Sequence, residues 1–163
     1  MHAVHAVHAA RAQVSFDSLP LDDRLRKAVA HVGWSSPSLV QAKALPLAMQ
    51  GKDVLCRART GSGKTGAYAL PILQKILEFQ GFNAGTKMDR KGPSAVVLVP
   101  TRELVEQVRQ VFADLTHFAP TVSVAAITAD TSVAAQKSLL ATRPHVVIAV
   151  EILQSPLSYD FVQ

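Results

Sequence analysis

Apolar residues at Leu21, Leu25, Ala28, Val29 and Val32 recur at intervals of three and four, which predicts a helix over 21–32 with one buried face. Gly33 follows as its stop. Pro37 is expected to open a second helix, and Pro46 to break it into two short pieces ending at Gly51, because an interior proline loses a hydrogen bond and crowds the preceding turn. Residues 53–56 read as a short strand. From Gly63 to about Glu78, the residues Ala69, Leu70, Leu73, Ile76 and Leu77 share one side of a helix. Pro71 within it should kink it or cost about 3 kcal/mol. The polar stretch 80–93 reads as a surface loop.

The second half alternates in the same way. Residues 94–99 (SAVVLV) are a continuous apolar run of strand length, as in strands buried on both faces. Thr101 then caps a helix that turns Leu104, Val105, Val108, Val111, Phe112 and Leu115 inward. Residues 121–127 predict a third strand, 130–141 a further crossover helix and 145–149 (HVVIA) a fourth strand. Strands alternating with helices imply an α/β fold with a parallel sheet.

Composition narrows the class. A chain of 163 residues suggests one domain, and 48% hydrophobic against 18% charged residues excludes wholesale disorder. No apolar run approaches the length of about 18 residues that a transmembrane helix needs, so no membrane partner is expected. The single cysteine, Cys56, forbids an intramolecular disulfide and argues against a cysteine-based zinc site. It fits a reducing intracellular compartment and reads as a small buried strand residue, not a nucleophile. A net charge of +5 permits an anionic partner such as nucleic acid without requiring one. The opening MHAVHAVHAARA places His2, His5 and His8 at every third position, lacks the regions of a signal peptide and reads as a disordered leader.

The strongest chemical signal is ARTGSGKT at 58–65. The strict phosphate-loop pattern begins with Gly, where this chain has Ala58; Gly61, Gly63, Lys64 and Thr65 agree with it. Glycines let the backbone N–H groups of Arg59, Thr60, Gly61, Ser62 and Gly63 curve around a phosphate, and the following helix aims its positive end at the same point. Lys64 would reach the β- and γ-phosphates and Thr65 would offer a hydroxyl to Mg²⁺. The plainer alternative is a Gly-rich turn with a helix-capping Thr.

Further motifs bring a family into view. Gly33-Trp34-Ser35-Ser36-Pro37-Ser38-Leu39-Val40-Gln41 looks like the Q motif of the DEAD-box RNA helicases, and Phe16 stands 17 residues before Gly33, where that family has an isolated aromatic. The resemblance implies that Phe16 stacks on adenine and that Gln41 hydrogen-bonds its edge, for which an amide carries both donor and acceptor. Pro100-Thr101-Arg102-Glu103-Leu104 looks like motif Ia, which implies contacts to an RNA backbone. The likeness spans 16–149 and is closest to the nucleolar branch linked to large ribosomal subunit assembly. It implies an incomplete RecA-like fold, ATP and Mg²⁺ as cofactors, RNA and pre-ribosomal particles as partners, and nuclear, nucleolar placement. The implied layout is a leader (1–15), a Q-motif region (16–43), a partial ATP-binding domain (44–149) and a divergent tail (150–163).

The chain also departs from the family. It lacks the usual Gly-Gly pair near 128–130, and where a Thr-Pro-Gly/Ser-Arg motif is expected it has Val150-Glu151-Ile152-Leu153-Gln154. The 163 residues contain no Asp-Glu-Ala-Asp and no Ser-Ala-Thr, and the resemblance implies that they hold none of the family's second RecA-like domain. The resemblance places the acidic strand beside the phosphate-loop strand, so an apolar edge should stand unpaired and the fragment should be marginally stable or aggregation-prone. The fragment alone is expected to lack turnover. The alternatives are a non-catalytic short isoform, or an incomplete gene model, that binds nucleotide or RNA weakly, and, more distantly, another phosphate-loop NTPase such as a kinase.

Overall fold

The computed structural model describes residues 15–82 and 92–151. The readings of the leader before residue 15, most of the 80–93 loop and the tail beyond 151 fall outside the described residues. A 3-10 turn, Phe16–Ser18, leads into α1 (Asp23–His31), α2 (Leu39–Met49) and α3 (Lys64–Phe82). Then come β1 (Ala95–Val99), α4 (Arg102–Leu115), β2 (Val124–Ile127), α5 (Val133–Ala141) and β3 (Val146–Val150).

The three strands form a parallel sheet in the order β1-β3-β2. Ala95 pairs with Val146 and Val99 with Val150, while Val124 and Ile127 pair with Val146 and Ala149. Val97, Val99, Val146 and Ile148 occupy one face and join a single apolar cluster with Val105, Val108, Phe112 and Leu115 of α4 and Leu70, Leu73 and Leu77 of α3. Helix α4 follows directly from its sequence: Thr101 Oγ1 accepts from the Leu104 N–H, and the apolar positions recur every three or four residues. Leu104 is the exception in the predicted stripe, since it faces outward.

Local rules failed where packing overrides them. Helix α2 runs unbroken through Pro46. Val40, Ala44 and the fully buried Leu45 hold the turns around it, so burial offsets the lost hydrogen bond. Helix α3 likewise passes through Pro71, which lies between the fully buried Leu70 and Leu73, and continues to Phe82, beyond the predicted end. Helix α5 is shorter than expected and buries none of its side chains.

The predicted strand at 53–56 does not form. A strand needs a neighbour to accept its backbone groups, and none of the three strands lies beside this segment. Leu55 is fully exposed, and Cys56 is exposed and free, which corrects its reading as a buried strand residue. The outer face of edge strand β1 is also open, with Val96 58% and Leu98 59% exposed. Among the described residues no helix is long and apolar enough to cross a membrane.

Two outcomes follow. The isolated 163-residue chain should self-associate and bind an apolar dye, and Leu55→Lys with Leu98→Lys should reduce both. A monomeric, cooperatively melting chain in calorimetry and light scattering would contradict this. Asp22 caps α1 by accepting from the Arg24 N–H, and its hydrogen bonds to the Arg24 side chain hold its carboxyl below its ordinary value of 3.8. A depressed acid stabilises the fold above its unfolded pKa, and that contribution is lost as pH falls through the folded value. Asp22→Asn should therefore cost stability at neutral pH and lose its effect in strong acid, as acid-denaturation midpoints can show.

Candidate nucleotide and nucleic-acid site

The site begins at the amino end of α2. Ser38 caps the helix, and Gln41 closes a capping box: Ser38 Oγ accepts from the Gln41 N–H, and Gln41 Oε1 accepts from the Ser38 N–H at 2.9 Å. The helix thus starts at Leu39, with Pro37 just outside it. The Ser-x-x-Gln spacing carried this signal in the sequence, beneath the more conspicuous proline.

Gln41 has a second role. Its Nε2 donates to the Gly63 carbonyl at 3.1 Å, which ties α2 to the loop at 58–65. The side chain is 5% exposed. One donor hydrogen and one acceptor lone pair remain to it, the pair that an adenine edge needs. The approach is possible because Gly63 and Gly66 have no Cβ. A Cβ on Gly63, whose φ is +89°, would lie 2.8 Å from Ser38 Oγ and 2.9 Å from Gln41 Nε2. One on Gly66 would meet Gln41 Nε2 at 2.6 Å and the Trp34 ring at 2.8 Å.

Trp34 continues the contacts outward. It packs against Gly66 on one side and stacks with Phe16 on the other, at a centroid distance of 6.3 Å. Phe16 is 5% exposed and belongs to the core cluster. It also lines a cavity of about 340 Å³ with Arg26, Gly33 and Trp34. Gln41 does not line that cavity; it and the Trp34 ring both lie against Gly66. The roles of Trp34, Ser38 and Gly66 were missed in sequence. Only Ser38 had a readable pattern.

In the loop itself, Lys64 Nζ donates to the carbonyls of Ala58 at 2.8 Å and Arg59 at 2.7 Å. The helix expected after the loop is present, and the strand expected before it is not. The residues present fit a polyphosphate. Gly61 and Gly63 both have positive φ, Lys64 is the first residue of α3, and Ser62 Oγ is buried without a hydrogen-bond partner. Arg59, Thr60 and Gly61 are exposed. Burial pushes the Tyr68 phenol above its ordinary value, with the nearby Thr65 acting in the opposite direction. Among the described residues no cluster of three or more His, Cys, Asp or Glu could hold a metal.

The second group lies at the carboxyl edge of the sheet. Pro100, Thr101, Arg102 and Glu103 are all exposed where β1 gives way to α4, the edge at which open α/β sheets bind ligands. Arg102 donates through Nε to Glu103 Oε1 at 2.9 Å and through Nη1 to Asp130 Oδ2 at 3.1 Å.

A family profile described as DEAD/DEAH box helicase matches residues 38–157. A probable ATP-dependent RNA helicase ddx56 of Dictyostelium discoideum is 46% identical over 138 residues, covering 84% of this chain and 19% of that protein. An ATP-dependent RNA helicase dbp9 of Aspergillus oryzae is 47% identical over 135 residues, covering 82% of this chain and 22% of that protein. The chain thus spans about a fifth of the length of these curated relatives. The crystal structure of a hypothetical ATP-dependent RNA helicase from Sulfolobus tokodaii superimposes with a TM-score of 0.63 at 32% identity, over 80% of this chain and 34% of that one.

Gly66→Ala should push Trp34 and Gln41 away from α3 and weaken nucleotide binding severalfold, with little change in helical content. Calorimetric titration with ATP beside circular dichroism checks this; unchanged affinity would show that the close approach is dispensable.

Proposed function

The chain belongs to the DEAD/DEAH box helicase family, and from that premise we propose that it is the ATP-binding part of an RNA helicase that remodels RNA. The observation that carries the reading is the hydrogen bond from Gln41 to the Gly63 carbonyl, because it fastens a base-reading amide to a phosphate-binding loop. Gln41 would use its remaining donor and acceptor on adenine, and Phe16 would supply the apolar wall. Lys64 would exchange the Ala58 and Arg59 carbonyls for phosphate oxygens. The backbone N–H groups of 59–63 and the amino end of α3 would hold the phosphates, with Mg²⁺ reached through Thr65. When bound, the nucleotide with its Mg²⁺ supplies the phosphoryl chemistry.

Thr101 and Arg102, with Pro100 and Glu103 shaping the turn, would hold an RNA strand by its phosphates. Such contacts carry no base sequence. The 163 residues contain no Asp-Glu-Ala-Asp carboxylates, so this segment by itself should not turn ATP over. Work on pre-ribosomal particles in the nucleolus is the cellular setting supported by the likeness of GKDVLCRARTGSGKTGAYALPIL and Ile127-Thr128-Ala129-Asp130 to the nucleolar branch.

Nucleotide choice tests the reading. Titration of the full-length protein with fluorescent ATP and GTP analogues should show ATP preferred. Gln41→Ala should erase the preference and weaken both, since the capping box and the bond to Gly63 go together. Lys64→Ala should weaken both alike. Equal affinity for GTP in the unaltered protein would contradict the proposal.

A further inference from the structure

Arg102 is the first residue of α4, and its guanidinium faces two carboxylates. They differ in origin. Glu103 is its helical neighbour, whereas Asp130 comes from the turn after β2, 28 residues further on. That turn has its own scaffold. The Thr131 N–H donates to the Thr128 carbonyl at 3.1 Å. Gln136 Nε2 donates to the carbonyls of Thr128 at 3.2 Å and Thr131 at 2.8 Å, and Ser132 caps α5. Asp130 is thus presented by its own loop and does not depend on Arg102 for its place.

A guanidinium grips a phosphate with two parallel N–H groups, either Nε with Nη2 or Nη1 with Nη2. Here Glu103 takes Nε and Asp130 takes Nη1, so each fork has one prong occupied. One cation also faces two anions, which leaves the turn locally negative where a polyanion would land. Both ends of the Arg102–Asp130 pair are exposed, at 65% and 68% of the side chain, so the pair is held weakly enough to be displaced.

We propose that Asp130 is an intramolecular competitor for RNA phosphate, its carboxylate filling the Arg102 prong that a phosphodiester oxygen would take. The inference rests on the reading of residues 100–103 as an RNA contact. RNA binding at this turn is then an exchange of one anion for another. RNA that cannot present a phosphate at this point leaves Arg102 paired with Asp130.

The test is a double-mutant cycle in the full-length protein, read by anisotropy of a labelled single-stranded oligouridine across a salt series. Asp130→Asn should tighten binding about two- to fivefold at low salt, with the gain shrinking as salt screens the pair. Arg102→Ala should weaken binding, and adding Asp130→Asn to it should restore nothing. Asp114→Asn, at the far end of α4, controls for net charge and should have little effect. If Arg102→Ala binds RNA as well as the unaltered protein, the RNA reading of 100–103 falls, and this inference with it. If Arg102→Ala weakens binding but Asp130→Asn does not tighten it, that reading stands and the competitor is overturned. An equal gain from Asp130→Asn with and without Arg102 would show general repulsion and also overturn it.

Discussion

The hydrogen bond from Gln41 to the Gly63 carbonyl is the constraint on which the nucleotide end of this molecule depends. Gln41 is almost fully buried, and half of its amide's hydrogen-bonding capacity is met within the protein. It is met once by the cap of α2 and once by the loop. The contact to the loop requires α2 to lie against the first turn of α3, and that in turn requires Gly63 and Gly66 to be without side chains. Trp34 fills the space beside Gly66 and reaches Phe16, so a continuous series of contacts runs from the start of the described chain to the phosphate loop.

The other end of the site is governed by charge, not by packing. Parallel strand order brings the turns after β1 and β2 to the same edge of the sheet. Arg102 and Asp130 meet there across an exposed gap. Exposed pairs contribute little to stability. On the proposed reading, the pair sets which anion Arg102 holds, and a weak contact suits a surface that exchanges one anion for another.

The sequence reads well where the physics is local. The 3.6-residue stripe of Val105, Val108, Phe112 and Leu115 and the cap at Thr101 identify α4, and the unbroken apolar runs identify β1 and β3. Proline rules misled at Pro46 and Pro71, because they express backbone cost without the burial that offsets it. Residues 53–56 have strand-forming character, yet pairing depends on a neighbour that no local pattern reveals. Within the site, Lys64 and the loop glycines were visible as a motif. The bond from Gln41 to Gly63 spans 22 residues, and the pairing of Arg102 with Asp130 follows no period. Gly66 looks in sequence like any helical glycine, and only the Trp34 ring beside it explains its place.

Hydrogen exchange on the full-length protein, unaltered and with Ser38→Ala, tests the central claim most directly. If the capping box and the loop form one unit through Gln41, removing the Ser38 hydroxyl should speed exchange in the first turn of α2 and in the 59–65 amides together, and ATP should slow both. Faster exchange confined to α2, with the loop unchanged, would contradict the account.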